Sequence, residues 1–371
     1  MNTNFRGVVI LQKILPHYRI PFFDELDGLL RDKNIVLQIL YSNEESGQVP
    51  KTINVNKRWA KKVGCQYYKL FGKTIYRMAL GKEIKSNLLI AEHAASFINL
   101  YLILLNNPAD KIALWGHGEN LQGDGNGKIK DFILNKADWW FGYTEHTRRV
   151  LINKGYNQKN ITIVNNSIDT SIFEVEKVEY DTKVKEIKHK YNIVGENICV
   201  YCGGIYSHKK IDFLLEASLR LANEIENFTI LIIGEGPDQD KVENAAENNS
   251  CIKFVGPLFG SDRVPYLKMS KAMLMPGLVG LAIIDSFSAK TPIITTDIPI
   301  HSPEIEYMND GFNGMMVEYD IDAYVKAVKD YLSSPLKQAT LEKGCERSSE
   351  LYSIQSMAEN FAGGIMKCLE S

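Results

Sequence analysis

No stretch of this chain is apolar for long enough to cross a bilayer. The longest apolar run, Phe97–Leu105, is interrupted by Asn99, whereas a spanning helix needs about 20 such residues. Arg6 precedes only the short run Val8–Leu11, and Gln12-Lys13 follows where a leader would be cleaved, so no secretory leader is expected. Cysteine is sparse: Cys65, Cys199, Cys202, Cys251, Cys345 and Cys368 are scattered without a disulfide framework, as suits a reducing compartment. A cytoplasmic protein is expected, able to rest on the inner face of the membrane. Neither sign of charge dominates, with 43 Lys and Arg against 45 Asp and Glu, which argues against nucleic acid as a main partner. The chain also lacks a G-x-S-x-G elbow, a phosphate-binding P-loop and a Ser-His-Asp pattern.

What the chain does have is a rhythm. Short β-branched runs alternate with helical periodicity, which reads as α/β with parallel sheets. A length of 371 residues favours two domains over one core. The spacing predicts strands over 7–11, 35–41, 87–91, 111–115, 139–143 and 161–164 in the first half. After a charged segment over 174–197, read as a linker followed by a surface helix, the rhythm restarts with strands over 198–201, 229–233, 253–255, 272–275 and 292–295. This gives an expected domain over 1–173, a second over 198–350, and a final helix within 351–371 that packs back on the first. Two doubly wound units bind ligands at the carboxyl ends of their strands, where the strand order reverses.

Charge is locally lopsided. Between Lys51 and Lys85 there are ten Lys and Arg against one acid, Glu83, with Trp59, Tyr67, Tyr68, Phe71 and Tyr76 interleaved. A basic, aromatic face suits an anionic membrane surface or a phosphate-bearing acceptor; a solvated face over core aromatics is the plainer reading.

Several segments lie where a parallel sheet presents its ligands. Met275–Ala289 runs from a strand through Pro276-Gly277 and Gly280 into a helix, so the N–H groups exposed at the loop-to-helix junction form a ready anion site, with Asp285 placed to accept from a hydroxyl. Gly203-Gly204 and Lys209 follow the first strand of the second half, and Lys209 can neutralise a diphosphate. Gly234-Glu235-Gly236-Pro237 follows the next strand, but Gln239 stands where a dinucleotide fingerprint needs glycine. Asp238-Gln239-Asp240 has the form of a metal pair, yet an acid after proline is better explained as a helix start; no metal site is expected. Cys199 and Cys202 sit on a strand, on opposite faces, and read as structural. In the first half, Gly116-His117-Gly118-Glu119 ends a strand and gives His117 room to reach a ligand. Glu92 ends the preceding strand, and His17-Tyr18-Arg19 follows the first, completing a polar rim.

These motifs together resemble the family 4 glycosyltransferases, the retaining group with the GT-B fold. The resemblance runs through Asn165–Asp169 with Phe173 ("N-G-hydrophobic-D…F"), Gly203–Lys209 ("G-R-L…K-G"), Ile232–Pro237 ("I-G-x-G-P"), Phe254–Gly256, Met275–Pro292, and Pro303-Glu304 with Asp310–Gly314 ("P-E…G-x-N-G"). It implies two Rossmann-like domains facing a cleft, with the C-terminal helix crossing back. It further implies transfer of a hexose from a nucleoside-diphosphate sugar, UDP favoured and GDP the other candidate, to an oligosaccharide or polyprenyl-linked acceptor of cell-surface polysaccharide synthesis, with no metal or other cofactor required. By position, Lys209 would bind the diphosphate with Gly203, Gly204, Gly234, Glu235 and the 279–282 amides. His117 would touch the transferred sugar, and Asp285, the second acid of the family's E-x₇-E motif, would hold the ribose. His17, Tyr18, Arg19, Glu92, His117 and Glu119 would face the acceptor. Two positions depart from the pattern: Gly277 replaces the first acid and Gly204 replaces the arginine. They keep open a GT-B-fold epimerase or phosphorylase, or a sugar-nucleotide-binding protein without catalysis.

Overall fold

The structure is a computed structural model that describes residues 6–43, 45, 54–70, 72–118 and 135–371. The chain groups into two compact units, Met1–Asp169 with Ile354–Ser371, and Thr170–Ser353.

The first unit is built on a seven-stranded sheet in the order β3-β2-β1-β6-β7-β8-β9, parallel throughout. Its strands are β1 (Arg6–Ile14), β2 (Ile35–Ser42), β3 (Ala60–Lys62), β6 (Leu88–Glu92), β7 (Lys111–Gly116), β8 (Trp139–Gly142) and β9 (Ile161–Ile163). The unbroken apolar run in β1 reflects burial on both faces. Val8 and Ile10 enter a core with Phe22 of the helix Ile20–Arg31 and Phe361 of the helix Ile354–Glu370. Val9 and Leu11 point the other way, toward Tyr76, Phe97 and Leu100. The C-terminal helix is held by its own stripe, Met357, Phe361 and Ile365, spaced one turn apart. Phe361 stacks on Phe141 at 4.3 Å and meets the edge of Trp115 at 4.9 Å.

The basic segment supplies β3 and a separate antiparallel hairpin, β4 (Cys65–Leu70) and β5 (Lys73–Met78). Tyr76 of the hairpin stacks on Phe97 at 5.0 Å, so part of its aromatic content is core. Tyr68 and Leu70 stay exposed.

The second unit carries a six-stranded sheet, β12-β11-β10-β13-β14-β15, also parallel. Its strands are β10 (Ile198–Cys202), β11 (Thr229–Ile233), β12 (Ile252–Gly256), β13 (Ala272–Leu274), β14 (Ile293–Thr296) and β15 (Gly314–Val317). The charged segment over 174–197, read as a linker followed by a surface helix, carries the helix Lys177–Lys190 as part of this unit. Lys268 Nζ lies over the Tyr180 ring at 5.7 Å, and Tyr191, just past that helix, packs edge-on against Tyr266. Both sheets have the doubly wound arrangement, and each reverses direction once: between β1 and β6 in the first, between β10 and β13 in the second.

Candidate functional site

The reversal point of the second sheet is lined by the loops after β10 and β13, and these are locked to each other. Leu278 N–H donates to His208 O at 3.0 Å. Lys209 Nζ donates to Leu278 O at 2.5 Å and reaches Val279 O at 3.4 Å. Thr295 and Thr296, at the end of β14, donate through their hydroxyls to Met275 O at 2.7 Å and Pro276 O at 2.6 Å. The approach is close enough to dictate residue 277: a Cβ there would sit 2.3 Å from the Lys209 carbonyl carbon and 2.5 Å from His208 O. Gly277 is therefore a packing requirement, and the position has no room for any side chain. Gly234 is forced in the same way, since its Cβ would fall 1.9 Å from Gly203 O. The space beside Gly204 is taken by the Tyr206 ring, 2.8 Å from where a Cβ would be.

Lys209 is buried, at 6% exposure, and its partners are carbonyls; among the described residues no carboxylate pairs with it. Burial brings its ammonium down from the ordinary 10.5 to about 8, against a smaller opposite pull from Cys202. An ammonium has three donors, and a buried one without a counter-ion is an anion site in waiting.

The glycine-loop amides divide into two kinds. Val279 N–H is already used: it donates to His301 Nδ1 at 3.3 Å. His301 Nε2 lies 2.7 Å from Thr296 O, so a neutral ring with its proton on Nε2 satisfies both contacts. Burial holds His301 below its ordinary value, and the Lys209 charge pushes the same way while the Thr296 carbonyl opposes. The N–H groups of Gly280, Leu281 and Ala282 have no intramolecular acceptor among the described residues. They open the helix Ala282–Ala289, and the buried Ser302 Oγ beside Gly280 is likewise without a partner there.

Asp285 lies inside that helix but is not a free acid. Arg263 grips it with two bonds, Nη1 to Oδ2 at 2.6 Å and Nη2 to Oδ1 at 2.8 Å. Burial nevertheless raises its carboxyl from 3.8 to about 6, the arginine only partly offsetting this. Lys209, Arg263 and Asp285 all act electrostatically on the Cys202 thiol, itself pushed up to about 11 mainly by burial. Cys199 rises to about 12 for the same reason, so neither cysteine has the thiolate character of a redox pair. Gly203 flanks the Lys209 ammonium, whose Nζ is 3.8 Å from its Cβ position, while Glu235 is exposed and offers its backbone O to Ile205 N–H. Asp238 lies 3.5 Å from Lys241.

The first unit gathers a second set of expected residues at its own reversal point. Glu92 ends β6, and its Oε2 accepts from Lys13 N–H at 3.2 Å. Burial pushes the Glu92 carboxyl up, while Lys13 and, more weakly, Arg19 pull it back. His117 packs on the Tyr143 ring at 4.5 Å. His17 and Tyr18 are exposed, whereas Arg19, expected on the same rim, is buried. Glu119 lies outside the described residues.

Arg263, His301 and Ser302 escaped the sequence reading. For His301 a signal exists: it stands five residues past β14, directly before Ser302-Pro303-Glu304, and so in a strand-end loop of a parallel sheet. Arg263 has none, because only the fold brings it to Asp285.

Comparison with known proteins identifies the fold. Residues 196–334 match the family model described as Glycosyl transferases group 1. The chain is 21% identical over 193 residues to alpha-D-kanosaminyltransferase of Streptomyces kanamyceticus, 49% of each chain. It is 24% identical over 185 residues to alpha-monoglucosyldiacylglycerol synthase of Acholeplasma laidlawii, 48% of this chain and 46% of that protein. The chain spans about half the length of the curated relatives it matches. Among solved structures, a glycosyltransferase of Rickettsia africae superposes with a TM-score of 0.71 at 15% identity, covering 99% of this chain and 100% of that one. Anabaena HepE, solved with UDP and glucose, gives 0.67 at 12% identity, covering 97% and 99%. The fold is thus that of the GT-B glycosyltransferases, two Rossmann-like α/β units.

Proposed function

We propose that this chain is a glycosyltransferase that moves a hexose from a nucleoside-diphosphate sugar, a UDP-sugar by preference, to a lipid-linked saccharide acceptor in cell-surface polysaccharide synthesis. The observation that carries the reading is Lys209. It is a buried ammonium at the reversal point of a parallel sheet, held by carbonyls, beside three unused helix-start amides. Cation and amides are complementary to a diphosphate. The match of residues 196–334 to glycosyl transferases group 1 and the UDP held by a structural neighbour support the same donor class.

In this reading the reaction retains anomeric configuration. The bond between the sugar carbon and the diphosphate oxygen breaks, the acceptor oxygen bonds to that carbon on the same face, and the leaving diphosphate oxygen takes the acceptor proton. Lys209 and the amides of Gly280, Leu281 and Ala282 neutralise the charge that grows on the diphosphate, a term that strengthens toward the transition state. No metal is called for, since these groups supply the compensation. Asp285, clamped by Arg263, offers its remaining lone pairs to the ribose. His117 contacts the sugar.

The acceptor assignment draws support from the hairpin, where Tyr68 and Leu70 of β4 share a face with Lys73 and Arg77 of β5, all four exposed. Such a surface suits an anionic bilayer at the inner membrane face. Among the described residues no helix is long and apolar enough to cross a membrane.

The test is product analysis with UDP-glucose, UDP-galactose and GDP-mannose in EDTA, with and without membrane extract. Acceptor-dependent transfer from a UDP-sugar is expected. A modified donor without acceptor would indicate an epimerase, phosphate-dependent cleavage a phosphorylase, and UDP binding without turnover a non-catalytic protein.

A further inference from the structure

The second sheet is not alone in keeping a buried cation at its reversal point. Arg19 closes the turn His17–Arg19 between β1 and the helix Ile20–Arg31 and is only 6% exposed. Its guanidinium carbon lies 5.4 Å from the Trp115 and Tyr18 rings and 5.9 Å from Tyr143. The one hydrogen bond its side chain makes among the described residues is from Nη1 to Met357 Sδ at 3.8 Å, and sulfur is a weak acceptor.

Aromatic rings compensate a cation electrostatically but accept none of its in-plane N–H bonds in the way an oxyanion does. The contrast with Arg263 is direct: there, a partly buried guanidinium has a carboxylate on both terminal nitrogens. Arg19 has no carboxylate within ion-pair distance among the described residues, although Glu92 is near enough for the two charges to interact. Glu92 is engaged with the Lys13 amide instead. None of the Arg19 nitrogens is both sealed from solvent and unpartnered, so the fork stays open to an oxyanion with no carboxylate to displace. The arrangement is what a site for an incoming oxyanion requires, and it stands at the carboxyl ends of β1, β6 and β7, where a doubly wound sheet takes its ligand.

We propose that Arg19 is the receptor for an oxyanion carried by the acceptor, either a carboxylate on the saccharide or a phosphate on its linker. Only the word acceptor rests on the glycosyltransferase reading; the anion site itself rests on Arg19. Glu92 sets its strength, since a neighbouring negative charge opposes the ligand. Tyr18, the exposed ring of the three, presents a flat wall that suits a sugar ring next to the anion.

Calorimetric titration of the full chain, with UDP saturating so that phosphate groups cannot occupy the Lys209 site, tests this with glucuronate, glucose 6-phosphate and glucose as probes. At least one anionic sugar should bind about tenfold or more tighter than glucose, the scale of one charge-assisted bidentate contact. Preference for glucuronate alone identifies a carboxylate, and for glucose 6-phosphate alone a phosphate. Arg19→Gln should erase the preference while UDP affinity is kept, and Glu92→Gln should strengthen anion binding several-fold, a change that a purely structural Arg19 would not produce. Equal binding of all three sugars, no detectable anion binding, or a preference that survives in R19Q would overturn the proposal. If R19Q does not fold, the wild-type preference and the Glu92→Gln response decide. Absence of UDP binding in the same titrations would strike the donor reading and leave the Arg19 result to stand by itself.

Discussion

Replacing Lys209 by methionine should make the empty protein more stable while removing the proposed diphosphate site. An ammonium that titrates at about 8 in the folded chain and 10.5 outside it is disfavoured by burial to the extent of about 3 kcal/mol. Methionine keeps the length and apolar stem but gives up the bond to Leu278 O, a loss of about 1–2 kcal/mol. The net expectation at pH 7 is a gain of about 1–2 kcal/mol. The sign reverses with pH. Between about 8 and 10.5 the unfolded chain still holds the Lys209 proton and the folded chain has released it, so the wild type gains stability relative to the variant as pH rises. At pH 10 K209M should be the less stable of the two by about the worth of the lost bond. Urea unfolding of both proteins at pH 7 and pH 10 reads this difference directly, and the difference cancels the many buried tyrosines and cysteines that also titrate at high pH. In parallel, UDP should raise the melting temperature of the wild type and leave K209M unmoved. Equal destabilisation of K209M at both pH values, or an undiminished UDP shift, would refute the reasoning.

Other substitutions probe the same loops. Gly277→Glu should not restore a family-like sugar contact; its Cβ collides with the Lys209 backbone, so a stability loss of about 1–3 kcal/mol or more and weaker UDP binding are expected in melting and calorimetry, and tighter UDP-sugar binding would contradict the packing argument. Arg263→Gln strands the buried Asp285 carboxylate at a cost of about 3–5 kcal/mol. Because the folded Asp285 already titrates at about 6 against 3.8 ordinarily, its contribution is lost as pH rises through that window, so R263Q should unfold more easily in urea at pH 8 than at pH 5, and the double variant with Asp285→Asn should recover part of the loss. His301→Ala leaves Val279 N–H and Thr296 O unpaired; UDP affinity should fall about tenfold by calorimetry, with about 1–3 kcal/mol of stability, while a variant binding UDP as well as the wild type would remove His301 from the site.

Most of both sheets is legible because the strands are apolar on both faces: Val8–Leu11 and Thr229–Ile233 can be little other than buried parallel strands; the short edge strands β3 and β15 carry no such β-branched run and escape the pattern. Lys209 was legible for a related reason, being a cation just past such a strand. The hairpin over Cys65–Met78 was not, because it is largely outside the core and its lysines hide the alternation that would mark it. Gly277 was read as a missing acid, when its meaning is the 2.3 Å approach of the Lys209 backbone, a contact made across 68 residues of sequence. Arg263 meets Asp285, and His301 meets Val279, only after the sheet has formed. The position of Arg19 just past the first strand puts it on a polar rim; its burial is not legible there, because besides the adjacent Tyr18 the rings around it come from β7 and the end of β8, far along the chain.

The central claim is that a nucleoside diphosphate binds at the reversal point of the second sheet, on Lys209 and the amides that follow Gly280. Hydrogen exchange of the full chain with and without UDP, read peptide by peptide by mass spectrometry, tests it most directly. Slowed exchange confined to residues 203–210 and 278–285, and absent in K209M, is the predicted result. Protection elsewhere, or UDP binding that leaves these two loops unchanged, would contradict it.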